Sequence, residues 1–137
     1  MSPEAIELPE GMRRLKVGRQ SDIWSLGCIL YQMVYGQPPF QHLSVIQKMK
    51  AIPDETYPID FPEYAAPIRP RSETGSPPRR LEHLSVPVPR CVIETIKKCL
   101  RRHPKERASI PELLSENWLT LRECKLRIVY CYGHILI

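Results

Sequence analysis

The chain has 137 residues, of which 42% are hydrophobic and 26% are charged, an ordinary composition for a globular domain. Its formal charge of +5 comes without any nucleic-acid-binding motif, which favours a solvated basic surface and predicts no nucleic-acid partner. No stretch approaches the about 18 apolar residues of a membrane span, and five cysteines without C-x-x-C spacing predict no zinc site but reduced thiols, as in the cytosol or nucleus.

The first predicted helix begins at Ser21 or Asp22, because either side chain can accept hydrogen bonds from free N–H groups at a helix start. It ends at Gly36, which suits the left-handed position after a helix, and Pro38 and Pro39 prevent its continuation. The residues before this helix are expected to form a loop.

Apolar residues surround this first helix instead of forming one stripe. They are Ile23, Trp24, Leu26, Cys28, Ile29, Leu30, Tyr31, Met33, Val34 and Tyr35. Such a helix is expected to be buried on every side. The rest of the chain supplies too little material for that, so the sequence predicts part of a larger domain.

Three more helices are predicted, at about Leu43–Ile52, at about Arg90–Arg101 and from an S-x-x-E capping box at Ser109–Glu112. The apolar residues on their helical periods are Leu43, Val45, Ile46 and Met49; Val92, Ile93, Ile96, Cys99 and Leu100; and Leu113, Leu114 and Trp118. The last two of these sets are predicted to face the core. The predicted fold is mainly α.

Two segments depart from this pattern. Residues 62–89 are rich in Pro, Arg, Ser and Glu and are predicted to form a disordered insert, because Arg69–Arg80 within it offer little apolar surface to bury. Within it, Ser76-Pro77 fits a proline-directed phosphorylation site, with a plain linker as the alternative. Residues 120–137 form a separate apolar tail, whose Leu126–Ile137 is typical of a strand.

Three motifs resemble those of eukaryotic protein kinases: Ser2-Pro3-Glu4 at the end of an activation segment, Ser21–Leu30 in a central helix, and Arg107 within His103–Leu114. The resemblance covers residues 1 to about 61 and 86–119. It implies a partial kinase C-lobe, running from the central F helix to the I helix, over residues 1–119.

The resemblance assigns structural roles to individual residues. It implies an ion pair between Glu4 and Arg107, for which the planar fork of arginine is suited. Trp24 is expected to pack under the Ser2-Pro3-Glu4 segment. Asp22 matches an aspartate that anchors the catalytic loop in kinases, and here it is expected to serve only as an exposed helix cap. Four further residues match structural kinase positions. They are Pro3, Gly27, Ile29 and Met33, of which the last two support the kinase spine.

Within the kinases, the chain is most similar to the monopolar-spindle dual-specificity kinases of the mitotic checkpoint. The residues that carry this likeness are Met1–Ile6, Gly18–Met33, Tyr35–Phe40 and Ala51-Ile52. The resemblance implies ATP and magnesium as cofactors of the intact family, protein substrates, and a location in the nucleus or cytoplasm at the kinetochore or spindle.

The catalytic elements of a kinase are not found in this sequence. No two of its six glycines stand two residues apart, as a glycine-rich loop requires. The aspartates are Asp22, Asp54 and Asp60, and Asn117 is too distant from each to form D-x-x-x-x-N. We therefore expect no catalytic residue, cofactor site or metal site in this chain, and no activity from it alone.

Two other functions remain open from the sequence. The chain is compatible with a non-catalytic module that binds proteins through its second helix. A basic helical nucleic-acid binder is the weaker alternative. No membrane partner is predicted, and the sequence leaves the oligomeric state open.

Overall fold

The computed structural model describes residues 1–7, 18–69 and 77–119. Its helices are α1 (Pro3–Glu7), α2 (Arg19–Tyr35), α3 (Val45–Ala51), α4 (Arg90–Cys99) and α5 (Ile110–Leu114). Its strands are β1 (Tyr64–Ala65), β2 (Ile68–Arg69), β3 (Arg79–Arg80) and β4 (Val86–Pro87), and short 3-10 turns lie at Glu82–Leu84 and Pro104–Glu106. The fold is mainly α, as predicted.

Helix α2 begins two residues before its predicted start. Its N-cap is Gly18, with no side-chain hydrogen bond to the helix start, so the prediction that Ser21 or Asp22 caps the helix is wrong. At its other end Gly36 has φ of 77°, the left-handed value that glycine adopts without steric cost, and its N–H donates to the carbonyl of Gln32.

The core forms where α2 packs against α4, which runs within two residues of its predicted bounds. Helix α4 buries Val92, Ile93, Ile96, Cys99 and Leu100, as its one-sided apolar period predicted. The two backbones approach closely at Gly27, where any side chain would meet α4. This contact fixes α2 as the central element.

One face of α2 has no cover among the described residues. Leu26, Ile29 and Met33 are 39%, 56% and 57% exposed. Ile29 lies about 200° around the helix from Gly27, because an α-helix turns by about 100° per residue. The expectation of burial on every side is therefore wrong for this face, and right for the face that carries Ile23 and Trp24.

Helix α3 is shorter than predicted and begins with a capping box that the sequence analysis missed. Ser44 Oγ accepts from the backbone N–H of Gln47, whose side chain accepts from the N–H of Ser44. Of the apolar residues of α3 only Ala51 enters the core, whereas Val45 and Ile46 are 75% and 72% exposed.

The flanks of the 62–89 insert pair with each other. Strand β1 pairs antiparallel with β4, and β2 pairs antiparallel with β3, bringing Ile68 opposite Arg80. The prediction of a disordered insert is therefore wrong for these four strands, while residues 70–76, including Ser76, lie outside the described residues. Two-residue strands have no periodicity from which a sequence can predict them.

Two tyrosines of α2 form hydrogen bonds with the segment that precedes β1. The hydroxyl of Tyr31 donates to the carbonyl of Asp60 over 2.9 Å, and that of Tyr35 to the carbonyl of Pro62 over 2.8 Å. Burial, with a smaller contribution from Tyr31, raises the pKa of Tyr35 to about 12, so its hydroxyl keeps its proton at neutral pH.

The C-terminal described residues close the core. Helix α5 begins with the predicted Ser109–Glu112 capping box and buries Leu113, whereas Leu114 is exposed, contrary to prediction. Trp118 is buried, and its Nε1–H donates to Thr95 Oγ1 over 2.9 Å. The tail at 120–137 lies outside the described residues. No described helix has the length and hydrophobicity needed to cross a membrane.

Candidate functional site

Three parts of the chain meet at the guanidinium of Arg107. The first is the start of α1 with Glu4, the second is the first turn of α2, and the third is the segment from α4 to the Pro104–Glu106 turn. The side chain of Arg107 is 0% exposed, so its charge lies wholly within the protein.

Arg107 uses all five of its N–H donors. Two form a fork with the carboxylate of Glu4, with Nη1–Oε1 at 2.8 Å and Nη2–Oε2 at 2.7 Å. The other three donate to the carbonyls of Gln20, Arg101 and Arg102 over 2.7, 2.7 and 2.9 Å. A buried charge is tolerated only when its partners satisfy it in this way. The contact that the sequence implied between Glu4 and Arg107 is present.

Two serines extend the network around Glu4. Ser21 Oγ donates to Glu4 Oε1 over 2.7 Å, and Ser2 Oγ donates to Ser21 Oγ over 3.1 Å. Burial by itself raises the pKa of Glu4, but the hydrogen bonds from Arg107 and Ser21, together with the charge of Arg107, lower it to about 2. Glu4 is therefore ionised throughout the neutral range.

An aromatic layer lies against this network. The guanidinium carbon of Arg107 lies 5.2 Å from the ring centre of Trp24, which is buried. Arg102 lies 5.7 Å from the same ring and 5.3 Å from that of Phe40. Trp24 thus supports the Ser2-Pro3-Glu4 segment through the arginine that binds Glu4, an arrangement in which cation–π attraction adds to packing.

The other residues singled out from the sequence lie at three different places. Pro3 is buried beside Glu4, and Gly27 lies at the contact of α2 with α4. Asp22, Ile29 and Met33 are exposed on the uncovered side of α2, and Asp22 makes no hydrogen bond within the described part of the chain.

Sequence reasoning missed Ser2, Ser21 and Arg102 as members of this network. Ser21 was interpreted as a helix cap, since serine at a helix start is usually one. The adjacent residues Arg101 and Arg102 indicate positive charge, but nothing in the sequence indicates that Arg102 stacks on Trp24.

The network acts as a structural lock. All five N–H donors of Arg107 bond to the protein itself, and two of them hold the carboxylate of Glu4. Within the described ranges no group of three or more His, Cys, Asp or Glu residues could hold a metal ion. The cysteines in these ranges are Cys28, which is half-buried, Cys91, which is exposed, and Cys99, which is buried.

Comparison of the sequence with known proteins identifies the family of this chain. Residues 1–119 match the family model of the protein kinase domain. The chain belongs to the protein kinase family. It forms part of a kinase C-lobe.

Protein kinases of several organisms are similar in sequence to most of the chain. The chain is 46% identical over 125 residues to the serine/threonine-protein kinase mph1 of Schizosaccharomyces pombe, covering 87% of the chain. It is 37% identical over 128 residues to the dual specificity protein kinase TTK of Mus musculus, covering 89%, and 36% identical over 104 residues to the serine/threonine-protein kinase MPS1 of Saccharomyces cerevisiae, covering 76%. The match spans only 18%, 12% and 11% of these relatives.

Proposed function

We propose that this chain supplies part of the C-lobe of a mitotic spindle checkpoint kinase that transfers the γ-phosphate of ATP to Ser, Thr or Tyr. The Glu4–Arg107 contact carries this proposal, because it joins two of the motifs through which the chain resembles kinases. Likeness to kinases named as serine/threonine and dual-specificity enzymes supports protein side chains as the substrates.

By itself the chain transfers no phosphate. Phosphoryl transfer is catalysed by positioning ATP and magnesium between a glycine-rich loop, a lysine and two aspartates. The spacing of glycines, aspartates and asparagine in this sequence assembles none of these elements. Two of the three aspartates stand apart from any such arrangement, since Asp54 bonds to Thr56 in its own turn and Asp22 is exposed at the start of α2.

The uncovered face of α2 is the surface on which the rest of the catalytic domain packs. Leu26, Ile29 and Met33 lie on the side of the helix away from α4. Exposed apolar side chains that form a stripe mark a surface that another part of a protein covers. The resemblance places the support of the kinase spine at Ile29 and Met33, in agreement with their position on this face.

Thermal unfolding with increasing Mg·ATP tests the absence of a nucleotide site. We expect an unchanged Tm, whereas a ligand at about 100 times its Kd adds about 2.7 kcal/mol of stability. A saturable rise in Tm contradicts the proposal. Incorporation of labelled phosphate into a generic kinase substrate is the parallel measurement and is expected to remain at background.

Fragment complementation tests the positive half of the proposal. Co-expression with the preceding part of a checkpoint kinase domain is expected to give a complex with phosphotransfer activity. Ile29→Asp on the uncovered face should abolish complex formation, while Gln41→Asp, at an exposed polar position outside α2, should leave it unchanged. Equal effects of both substitutions are incompatible with packing on this face.

A second candidate is a non-catalytic protein-binding module, favoured by the surface of α3. Val45, Ile46 and Met49 are exposed there beside Lys48 and Lys50, and no acidic residue lies in the helix. In a pull-down, the native chain should then retain a protein partner in a near-stoichiometric amount. Val45→Asp should lose this partner, whereas Gln32→Asp should retain it. Retention by both variants would exclude α3 as the binding surface.

The proposed function places the protein in the nucleus or cytoplasm, at kinetochores during mitosis. The likeness to mitotic checkpoint kinases supports this location. Fluorescence imaging of the tagged chain in mitotic cells is the measurement, and a signal that never coincides with a kinetochore marker contradicts it.

A further inference from the structure

A cleft of about 450 Å³ lies between the segment that follows α3 and the C-terminal end of α4. Its apolar surface comes from Tyr57, Ile59, Phe61 and Leu100. Tyr57, Ile59 and Phe61 are half-buried, so they retain apolar area that a ligand can cover. None of the residues that line the cleft belongs to α1 or α2.

The charges that line this cleft are unbalanced. Lys97, Arg101 and Arg102 contribute three permanent positive charges, against two negative ones from Glu55 and Glu106, and His103 adds a further charge when protonated. Lys97 pairs with Glu94 only over 3.5 Å at an exposed site, an interaction of little energy. Arg101 is exposed and forms no ion pair among the described residues. The lining therefore favours a ligand with a single negative charge.

Arg102 is the most unusual group in the cleft. Its Nη2 donates to the carbonyl of Tyr57 over 2.9 Å, but its Nε is buried and has no hydrogen-bond partner in the described parts of the chain. No described carboxylate lies within ion-pair distance of it, in contrast to Arg107, which is fully satisfied. The buried Nε is out of reach of a ligand, but the half-buried guanidinium carries a positive charge that no described carboxylate pairs with, so an anion in the cleft is stabilised by it.

We propose that this cleft binds a peptide segment of a protein partner in which apolar side chains stand next to one carboxylate. The apolar side chains cover Ile59 and Phe61, and the carboxylate pairs with Arg101 and Arg102. A phosphate group, with a charge near −2, and a nucleic acid fit less well, since Glu55 and Glu106 also line the cleft. The cleft is open along one side, whereas sites for small molecules enclose about 70–90% of the ligand, so an extended peptide is the matching occupant.

Fluorescence anisotropy with the full chain tests this site. The probe is a fluorescein-labelled peptide Gly-Ser-Gly-Leu-Phe-Asp-Gly with an amidated C-terminus, and saturable binding with Kd below about 1 mM is expected. The peptide with Asn in place of Asp, and the one with Ser-Ser in place of Leu-Phe, should each bind at least about fivefold more weakly, because each lacks one half of the recognised chemistry. Equal binding of all three peptides, or no saturation below about 1 mM, overturns the proposal.

A matched pair of charge reversals locates the site. Arg101→Glu is expected to weaken binding at least about tenfold, whereas Lys50→Glu, the same change of charge on α3, should alter it less than about twofold. Arg101 contributes its backbone carbonyl to Arg107, a contact that the substitution retains, and far-UV circular dichroism checks that both variants are folded. Equal weakening by both variants indicates non-specific attraction to a basic surface and overturns the proposal.

Discussion

A Cβ atom at Gly27 of α2 would come within 2.7 Å of the Cβ atom of Cys99 in α4. It would also lie 2.8 Å from Cδ2 of Leu100. Since the nearer contact is with a Cβ atom, shortening the Cys99 side chain to alanine gives no relief. The closest approach of the two central helices thus depends on the absence of one side chain.

Gly27→Ala is expected to destabilise the protein by about 1–3 kcal/mol, as overpacked core substitutions do. Destabilisation would be informative, because at an exposed helix position a change from glycine to alanine stabilises the helix by about 1 kcal/mol. Urea unfolding of Gly27→Ala gives the value, with Gln32→Ala on the exposed side of α2 as the control. A stabilised Gly27→Ala variant would show that the helices separate without cost.

Removing either partner of the Glu4–Arg107 ion pair should lower the stability of the fold. Glu4→Gln and Arg107→Lys are each expected to lower the free energy of unfolding by about 3–5 kcal/mol, because each leaves a buried group without its full set of partners. Lysine retains the charge but cannot form the two-point fork or supply five donors. Glu94→Gln, which removes only the exposed pair with Lys97, should change the free energy by less than about 1 kcal/mol. Similar values for all three variants would refute the assignment.

The same carboxylate predicts a pH dependence. The pKa of Glu4 is about 2 in the folded protein against 4.5 for the ordinary group, so its stabilisation is complete above about pH 5 and declines as the pH falls from 4.5 towards 2. The difference in unfolding free energy between the native chain and Glu4→Gln should therefore shrink below pH 4.5. A difference that stays constant from pH 6 to pH 3 would mean that Glu4 titrates normally in the folded state.

Thr95→Val tests the contact that holds Trp118 against α4. Valine keeps the volume but removes the acceptor of the Trp118 indole N–H, so a loss of about 1–3 kcal/mol is expected for the buried, unpaired donor. Intrinsic tryptophan fluorescence followed during urea unfolding measures it. Thr56→Val, in the exposed turn with Asp54, provides the control and should have a smaller effect.

Polar substitution on the uncovered face of α2 should separate stability from association. Ile29→Gln and Met33→Gln are expected to change the unfolding free energy by less than about 0.5 kcal/mol, because both side chains are more than half exposed. They should also reduce concentration-dependent self-association in analytical ultracentrifugation. Ile96→Asn, at a fully buried position, should instead prevent folding. Strong destabilisation by Ile29→Gln would indicate that this face is covered within the chain.

The sequence predicted some elements well, and the physical reason differs from element to element. The apolar residues of α4 lie on one side of the helix, and this pattern predicted both its bounds and its buried face. A helix that packs on the outside of a core turns its apolar side towards that core. Around α2 the apolar residues have no period, so no sequence argument could tell the exposed Ile29 from the buried Ile23. In α3, only Ala51 faces the core, and the apolar period of Val45, Ile46 and Met49 forms an exposed surface instead.

The lock could be predicted only in part. Glu4 and Arg107 stand 103 residues apart, and family resemblance alone joined them. The role of Ser21 escaped prediction because a serine near a helix start fits two functions, and only the position of Glu4 decides between them. The pairing of β2 with β3 also escaped it, because strands of two residues are specified by their surroundings rather than by their own side chains.

The paired strands on both sides of residues 70–76 make this part of the chain suited to engineering. Since β2 and β3 already hold the two ends together, lengthening the connection between them costs little free energy, about 0.6 kcal/mol for each doubling of its length. An epitope tag or a small reporter domain inserted there should leave the packing of α2 on α4 intact. The connection between β2 and β3 is therefore a suitable site for a label with which to follow the protein in cells.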